Sequence, residues 1–138
     1  MLIRGSCFCG AVAYIVRGTL HNARSCHCSM CRKAFSAQAS AYAEIEPGTF
    51  EWVRGEDKLT SYQSQAGGGL RFCSVCGSTL CGTIEEQVHG VTLGCVDGDP
   101  DVSIGMHIYT VSKASWEILP DGVLAYEEGP PIDESGET

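Results

Sequence analysis

Seven of the nine cysteines in this 138-residue chain fall in three short clusters: Cys7-Phe8-Cys9, Cys26-His27-Cys28-Ser29-Met30-Cys31 and Cys73-Ser74-Val75-Cys76. No other feature constrains the fold as much. An extended C-x-C pair places both side chains on one side of the chain, and a C-x-x-C pair reaches the same arrangement by bending around an ion. Tetrahedral structural zinc takes four thiolates, and the first and third clusters supply them as Cys7, Cys9, Cys73 and Cys76. These ligands come from segments more than sixty residues apart, so binding the ion becomes part of the folding free energy. Gly77, directly after Cys76, suits a tight turn that aims backbone amides at the thiolates.

The middle cluster offers three thiolates, Cys26, Cys28 and Cys31, with no fourth cysteine at close spacing. Catalytic zinc uses three protein ligands and leaves the fourth position to water or substrate. A soft thiol is a natural occupant, because zinc deprotonates a thiol bound to it. Cys81, Cys95, His27 and His107 are the residues that could close the shell instead. A Rieske-type iron–sulfur centre fits less well: it needs two histidines in place of two cysteines, and only His27 lies in a cluster, between two ligands rather than replacing one. Cys81 and Cys95 stand alone in apolar segments and read as core residues. His21, His89 and His107 have no partner readable in sequence.

Compartment and charge narrow the partners. A small chain with this many cysteines is a disulfide framework only where the surroundings oxidise thiols. No apolar run approaches the roughly 20 residues of a membrane span, and no export signal is legible, so the expectation is a cytoplasmic protein without a membrane segment whose thiols bind metal. The net charge is −8, yet residues 1–43 carry Arg4, Arg17, Arg24, Arg32 and Lys33 and no acid. That basic portion holds five of the cysteines, where positive charge offsets thiolates and attracts an anionic thiol. The overall acidity argues against nucleic acid as a partner.

Strand-like segments at 11–16, 37–44, 50–53, 59–64, 70–73, 88–95 and 107–110 are separated by glycine and polar turns, and no helical apolar stripe persists. The pattern predicts a single all-β domain over 1–126, one helical turn over 29–35, a glycine loop at 67–69 and a turn at 97–100. Residues 127–138 combine five acids with paired prolines and read as an acidic mobile C-terminal tail.

At its cysteine clusters the chain resembles the glutathione-dependent formaldehyde-activating enzyme family, which includes centromere protein V-like proteins. The resemblance runs through Gly5-Ser6-Cys7-Phe8-Cys9-Gly10-Ala11-Val12-Ala13-Tyr14, Cys26-His27-Cys28-Ser29-Met30-Cys31-Arg32-Lys33 and Arg71-Phe72-Cys73-Ser74-Val75-Cys76-Gly77-Ser78, and ends in His107-Ile108, Ser112-Lys113-Ala114 and Trp116. It implies a β-tent fold with a structural zinc on the first and third clusters. It also implies a second zinc on the middle one, two ions per chain. The activity it implies is a carbon–sulfur lyase that joins glutathione and formaldehyde as S-hydroxymethylglutathione. Two positions depart from the family pattern: Ser115 stands where proline is common, and Phe35-Ser36 fills a loop that often contains glycine.

The leading expectation is therefore an enzyme in which Cys26, Cys28 and Cys31 hold the open zinc and a low-molecular-weight thiol, glutathione in the first instance, adds to a small aldehyde. Arg32 and Lys33 are placed to steer the carboxylates of such a thiol. Two other readings are a non-catalytic zinc-binding interaction module and a redox enzyme. The redox reading needs a free reactive cysteine in an electropositive setting, and neither Cys81 nor Cys95 has one in the sequence.

Overall fold

A computed structural model describes residues 1–65 and 67–131. In chain order the strands are β1 (Leu2–Ser6), β2 (Ala13–Arg17), β3 (His21–Cys26), β4 (Ser40–Glu44), β5 (Phe50–Arg54), β6 (Leu59–Gln63), β7 (Gly68–Cys73), β8 (Thr79–Ile84), β9 (Gln87–Thr92), β10 (Val96–Asp97) and β11 (Met106–Ile108). Among the described residues the one α-helix is α1 (Ser29–Phe35), where the sequence predicts a helical turn. The chain is all-β, as its alternating pattern requires. It groups into two compact units, residues 1–23 with 42–103 and residues 24–41 with 104 onward.

The first unit contains an antiparallel sheet in the order β10-β1-β2-β5. It also contains the antiparallel run β4-β9-β8-β7-β6, with β4 entering at Tyr42. One apolar cluster takes residues from both: Ile3, Val12, Tyr14 and Val16 from one side, Ala43, Leu80 and Val91 from the other. Each fully buried Val or Leu there contributes about 1.5–3 kcal/mol relative to exposure, which is the force that sets the period-two register of β1, where Ile3 is buried and Leu2 and Arg4 are exposed.

Glycines in these strands are slots for aromatic rings. A Cβ on Gly5 would run into the Tyr14 ring paired across from it. Gly82 and Gly90 face each other across β8 and β9, and a Cβ on either would meet the Tyr42 ring. Tyr42 is held there by a 3.0 Å hydrogen bond between its hydroxyl and Nδ1 of His89, whose Nε2 lies 3.5 Å from the Glu44 carboxylate. Replacing Gly90 by alanine is expected to destabilise the protein by about 1–3 kcal/mol through overpacking, because the new methyl would also strike the Ala43 carbonyl, which is backbone and cannot swing away. A thermal melt of the variant reads this directly, and an unchanged midpoint would show that the slot is not needed.

Two expectations are corrected here. The glycine loop is shorter than 67–69: Gly68 and Gly69 belong to β7, with Gly69 opposite Gln63 and packed against Thr83, and only Gly67, at φ +104°, makes the turn. Cys95 does not lie in a strand, because β9 ends at Thr92 and a 3₁₀ turn follows over Leu93–Cys95.

In the second unit the end of β3 runs parallel to β11, with Arg24 opposite Met106, Ser25 opposite His107 and Cys26 opposite Ile108. The segment after β11 returns to it: the Val111 and Tyr109 amides donate to the carbonyls of Glu127 and Glu128. Of the tail expected over 127–138, residues 132–138 lie outside the described residues. No helix among the described residues is long and apolar enough to cross a membrane.

Candidate metal centres

Cys7, Cys9, Cys73 and Cys76 converge on one point, their sulfurs all within 4.8 Å of one another. Cys7 and Cys9 do not lie in an extended segment but in the turn that joins β1 to β2, closed by the Gly10 amide on the Cys7 carbonyl at 3.0 Å, with Gly10 at φ +81°. The second pair sits at the tip of the β7–β8 hairpin, where the Gly77 amide donates to the Cys73 carbonyl at 2.8 Å and Gly77 takes φ +83°, a conformation that glycine adopts without a Cβ penalty. Ser78 joins the two turns: its hydroxyl accepts from the Phe8 amide at 2.9 Å and lies 3.3 Å from the Cys76 sulfur.

This set fits a tetrahedral ion. Four sulfurs at about 2.3 Å from one zinc stand about 3.8 Å apart, and the separations here are 3.6 Å for Cys7–Cys9 and 3.8 Å for Cys9–Cys73. Backbone amides are aimed at the sulfurs, from Val12 to Cys7 at 3.3 Å and from Val75 to Cys73 at 3.4 Å. Such donors favour the thiolate. At Cys76 the Ser78 hydroxyl and amide hold the thiol down to about 5, and at Cys7 burial pushes the thiol up but is outweighed by the Val12 amide and the Cys9 and Cys73 thiols, which lower it.

The second unit gathers Cys26, Cys28 and Cys31 in the same way, again within 4.8 Å. Here the extended C-x-C geometry does hold: Cys26 ends β3, and Cys28 keeps an extended backbone (φ −66°, ψ 155°) as the N-cap of α1, its sulfur accepting from the Cys31 amide at 3.3 Å. The Cys26 amide donates to the Ser40 hydroxyl at 3.3 Å. A hydrogen bond from the Cys31 thiol lowers the Cys26 thiol, and the same bond, with burial, raises Cys31 itself. Ser36 takes the left-handed conformation that caps α1 (φ 53°, ψ 44°), a backbone region that favours glycine.

Among the described residues no Cys, His, Asp or Glu joins these three sulfurs as a fourth donor. Cys81 is fully buried in the core of the first unit, and burial pushes its thiol up to about 12. Cys95 donates to the Thr79 carbonyl at 3.4 Å. His27 and His107 bond to each other, Nε2 to Nδ1, at 3.0 Å. Burial, then the His107 ring, keeps His27 neutral by lowering its pKa. None of the nine cysteines is in a disulfide. Arg32, on α1, has its Nε buried without a hydrogen-bond partner.

Sequence reasoning did not find the His27–His107 pair, the Tyr42–His89 bond or the role of Ser78. Only the first left a trace in the sequence: a histidine between two ligands of an extended C-x-C must point away from them.

Residues 2–112 match the glutathione-dependent formaldehyde-activating enzyme family. A Halomonas elongata protein provisionally named as a glutathione-dependent formaldehyde-activating enzyme is 38% identical, the alignment covering 84% of this chain and 80% of that protein. The crystal structure of a Rhodobacter sphaeroides protein is similar over 89% of this chain and 98% of its own, with a TM-score of 0.56 and 25% identity.

Proposed function

This chain belongs to the glutathione-dependent formaldehyde-activating enzyme family, and from that premise we propose that it joins a low-molecular-weight thiol, glutathione in the first instance, to a small aldehyde such as formaldehyde, with zinc at both cysteine sets. The observation that carries this reading is the difference between the two sets. Four protein sulfurs make a closed structural site, whereas three leave a position for a substrate, and Cys26, Cys28 and Cys31 have no fourth donor among the described residues.

Zinc on those three sulfurs would supply a thiophilic position that keeps an incoming thiol ionised at neutral pH and so nucleophilic. In the reaction the sulfur–carbon bond forms as the carbonyl double bond opens, and the proton lost by the thiol ends on the former carbonyl oxygen. Thiols add to formaldehyde unaided, so the chain has only to hold and orient the partners, which lowers the barrier by avoiding the entropy of encounter. The Cys31 amide on the Cys28 sulfur, and Ser40 on the Cys26 amide, fix two of the three donors. Arg32, half-buried on α1 next to Cys31, carries a guanidinium with which a carboxylate of the thiol would pair. Nine unpaired thiols and a glutathione substrate both suit a reducing compartment such as the cytoplasm.

The test is to load the protein with cobalt(II), add glutathione, and follow both the sulfur-to-metal absorption and the exchange of formaldehyde with glutathione by NMR. A new thiolate band from one of two sites, together with exchange faster than the uncatalysed reaction, is the expected result. A fully loaded protein whose spectrum ignores glutathione and whose exchange rate equals the blank would reject the enzyme. It would favour a second reading, a non-catalytic zinc-binding interaction module, for which the motivating observation is that Phe8 and Val75, at the tips of the two turns of the four-sulfur set, are 93% and 62% exposed.

A further inference from the structure

His27 lies between two members of the three-sulfur set, and it is 1% exposed. The backbone is extended through this point, so alternation sends the imidazole to the side opposite the Cys26 and Cys28 sulfurs. There it meets β11 twice. The His27 amide donates to the Ile108 carbonyl at 2.9 Å, and the His27 ring lies against the His107 ring, centroids 5.2 Å apart and planes tilted 35°, with the 3.0 Å bond between Nε2 and Nδ1. His107 is itself held from both sides: its amide donates to the Leu124 carbonyl and its carbonyl accepts from the Tyr126 amide, each at 2.8 Å.

We propose that His27 is a positioning residue for the three-sulfur set, acting through His107: their hydrogen bond fixes the rotation of segment 26–28 and thereby the directions in which Cys26 and Cys28 present sulfur. The proposal rests on the reading that this set holds a metal ion.

The backbone bond to Ile108 locates the segment, and the bonds from the Cys26 amide to Ser40 and from the Cys31 amide to the Cys28 sulfur hold it from the sulfur side. The bond made at the end of the His27 side chain, on the far side from the sulfurs, is the one that opposes a rocking of the segment about its own axis. Hydrogen bonds are directional, and apolar contact is not. An apolar ring of similar size at position 27 would fill the same space without leaving a polar atom stranded, yet here the buried Nδ1 of His27 has no partner. Burying such an atom costs free energy, and the Nε2 bond is what the histidine supplies in return. Metal–sulfur distances tolerate deviations of only about 0.2 Å, so a small rotation of two donors weakens a site with three far more than it disturbs the fold.

The experiment uses the full chain loaded with cobalt(II) and titrated with a chelator, the two sites being separated by their thiolate and ligand-field bands. His107→Phe keeps a ring and deletes the bond; His107→Gln restores an amide within reach of His27. In His107→Phe the three-sulfur site is expected to lose cobalt affinity about 10-fold or more, with altered ligand-field bands, while His107→Gln recovers most of the loss, as for other groups that support metal ligands without touching the ion. The four-sulfur site should be unchanged in both variants. The proposal is overturned if His107→Phe leaves the three-sulfur site unaffected, if both sites weaken equally in the two variants, or if glutamine does no better than phenylalanine. A wild-type chain that takes cobalt only at the four-sulfur set removes the premise, and the proposal with it, whereas wild-type chain with two loaded sites and unperturbed variants sinks this proposal alone.

Discussion

Cys73→Ser should leave the first unit unable to fold. Cys73 is fully buried at the end of β7, in contact with the apolar cluster, and its sulfur belongs to the four-sulfur set. A structural zinc at such a set contributes on the order of 10–16 kcal/mol, whereas the net stability of a whole domain is only about 5–15 kcal/mol. Losing a buried ligand therefore outweighs the margin, and a serine hydroxyl in that place adds a desolvation cost. The expected observation is a protein with no cooperative thermal transition and little bound zinc. A variant that melts cooperatively near the wild-type temperature with two ions bound would mean that this set is not what holds the first unit together.

Cys28→Ser should have the opposite profile: an intact fold and no catalysis. Cys28 is the N-cap of α1, accepting from the Cys31 amide, and serine is among the residues preferred for that role. The substitution thus keeps the cap and removes only the soft donor. Bound zinc is expected to fall from two ions per chain to one, and thiol–aldehyde exchange to fall to the uncatalysed rate, a loss of about 100-fold or more if catalysis lies in the range usual for activated nucleophiles and positioning. The melting temperature should move by no more than a few degrees. Metal analysis, exchange kinetics and a melt on one preparation decide it, and equal rates in wild type and variant would remove the three-sulfur set from the mechanism.

The sulfur chemistry was legible because ligand spacing is local and cysteine has few alternatives in a chain without disulfides. The four-and-three partition and the turn at Gly77 follow from it, and the all-β class from the alternation of the apolar segments. What escaped were β1, β3, β8 and the two-residue β10. In β1 and β8 the obstacle was glycine, which reads as a break in a strand but at Gly5 and Gly82 makes room for Tyr14 and Tyr42, partners that only the tertiary fold reveals. β3, with the sequence HNARSC, has no apolar alternation at all; its end is held by parallel pairing with β11, some eighty residues later. The Cys7 and Cys9 sulfurs converge with those of Cys73 and Cys76 for a reason other than an extended strand, since a turn brings the two together as well. The histidines were illegible for the same reason as β3, because their partners are remote in sequence.

The order of the ligands along the chain has a consequence for synthesis. A nascent chain presents Cys26, Cys28 and Cys31 within six residues, so they can capture an ion with almost no loop to close, whereas the quartet has to wait until Cys76 has emerged and a segment of about sixty residues has folded back on itself. The first ion to arrive would then sit on the triad before either sheet has formed. Yet His107, the ring against which His27 rests, is translated later than any of the seven sulfurs: the set that can load earliest is the last to be made rigid.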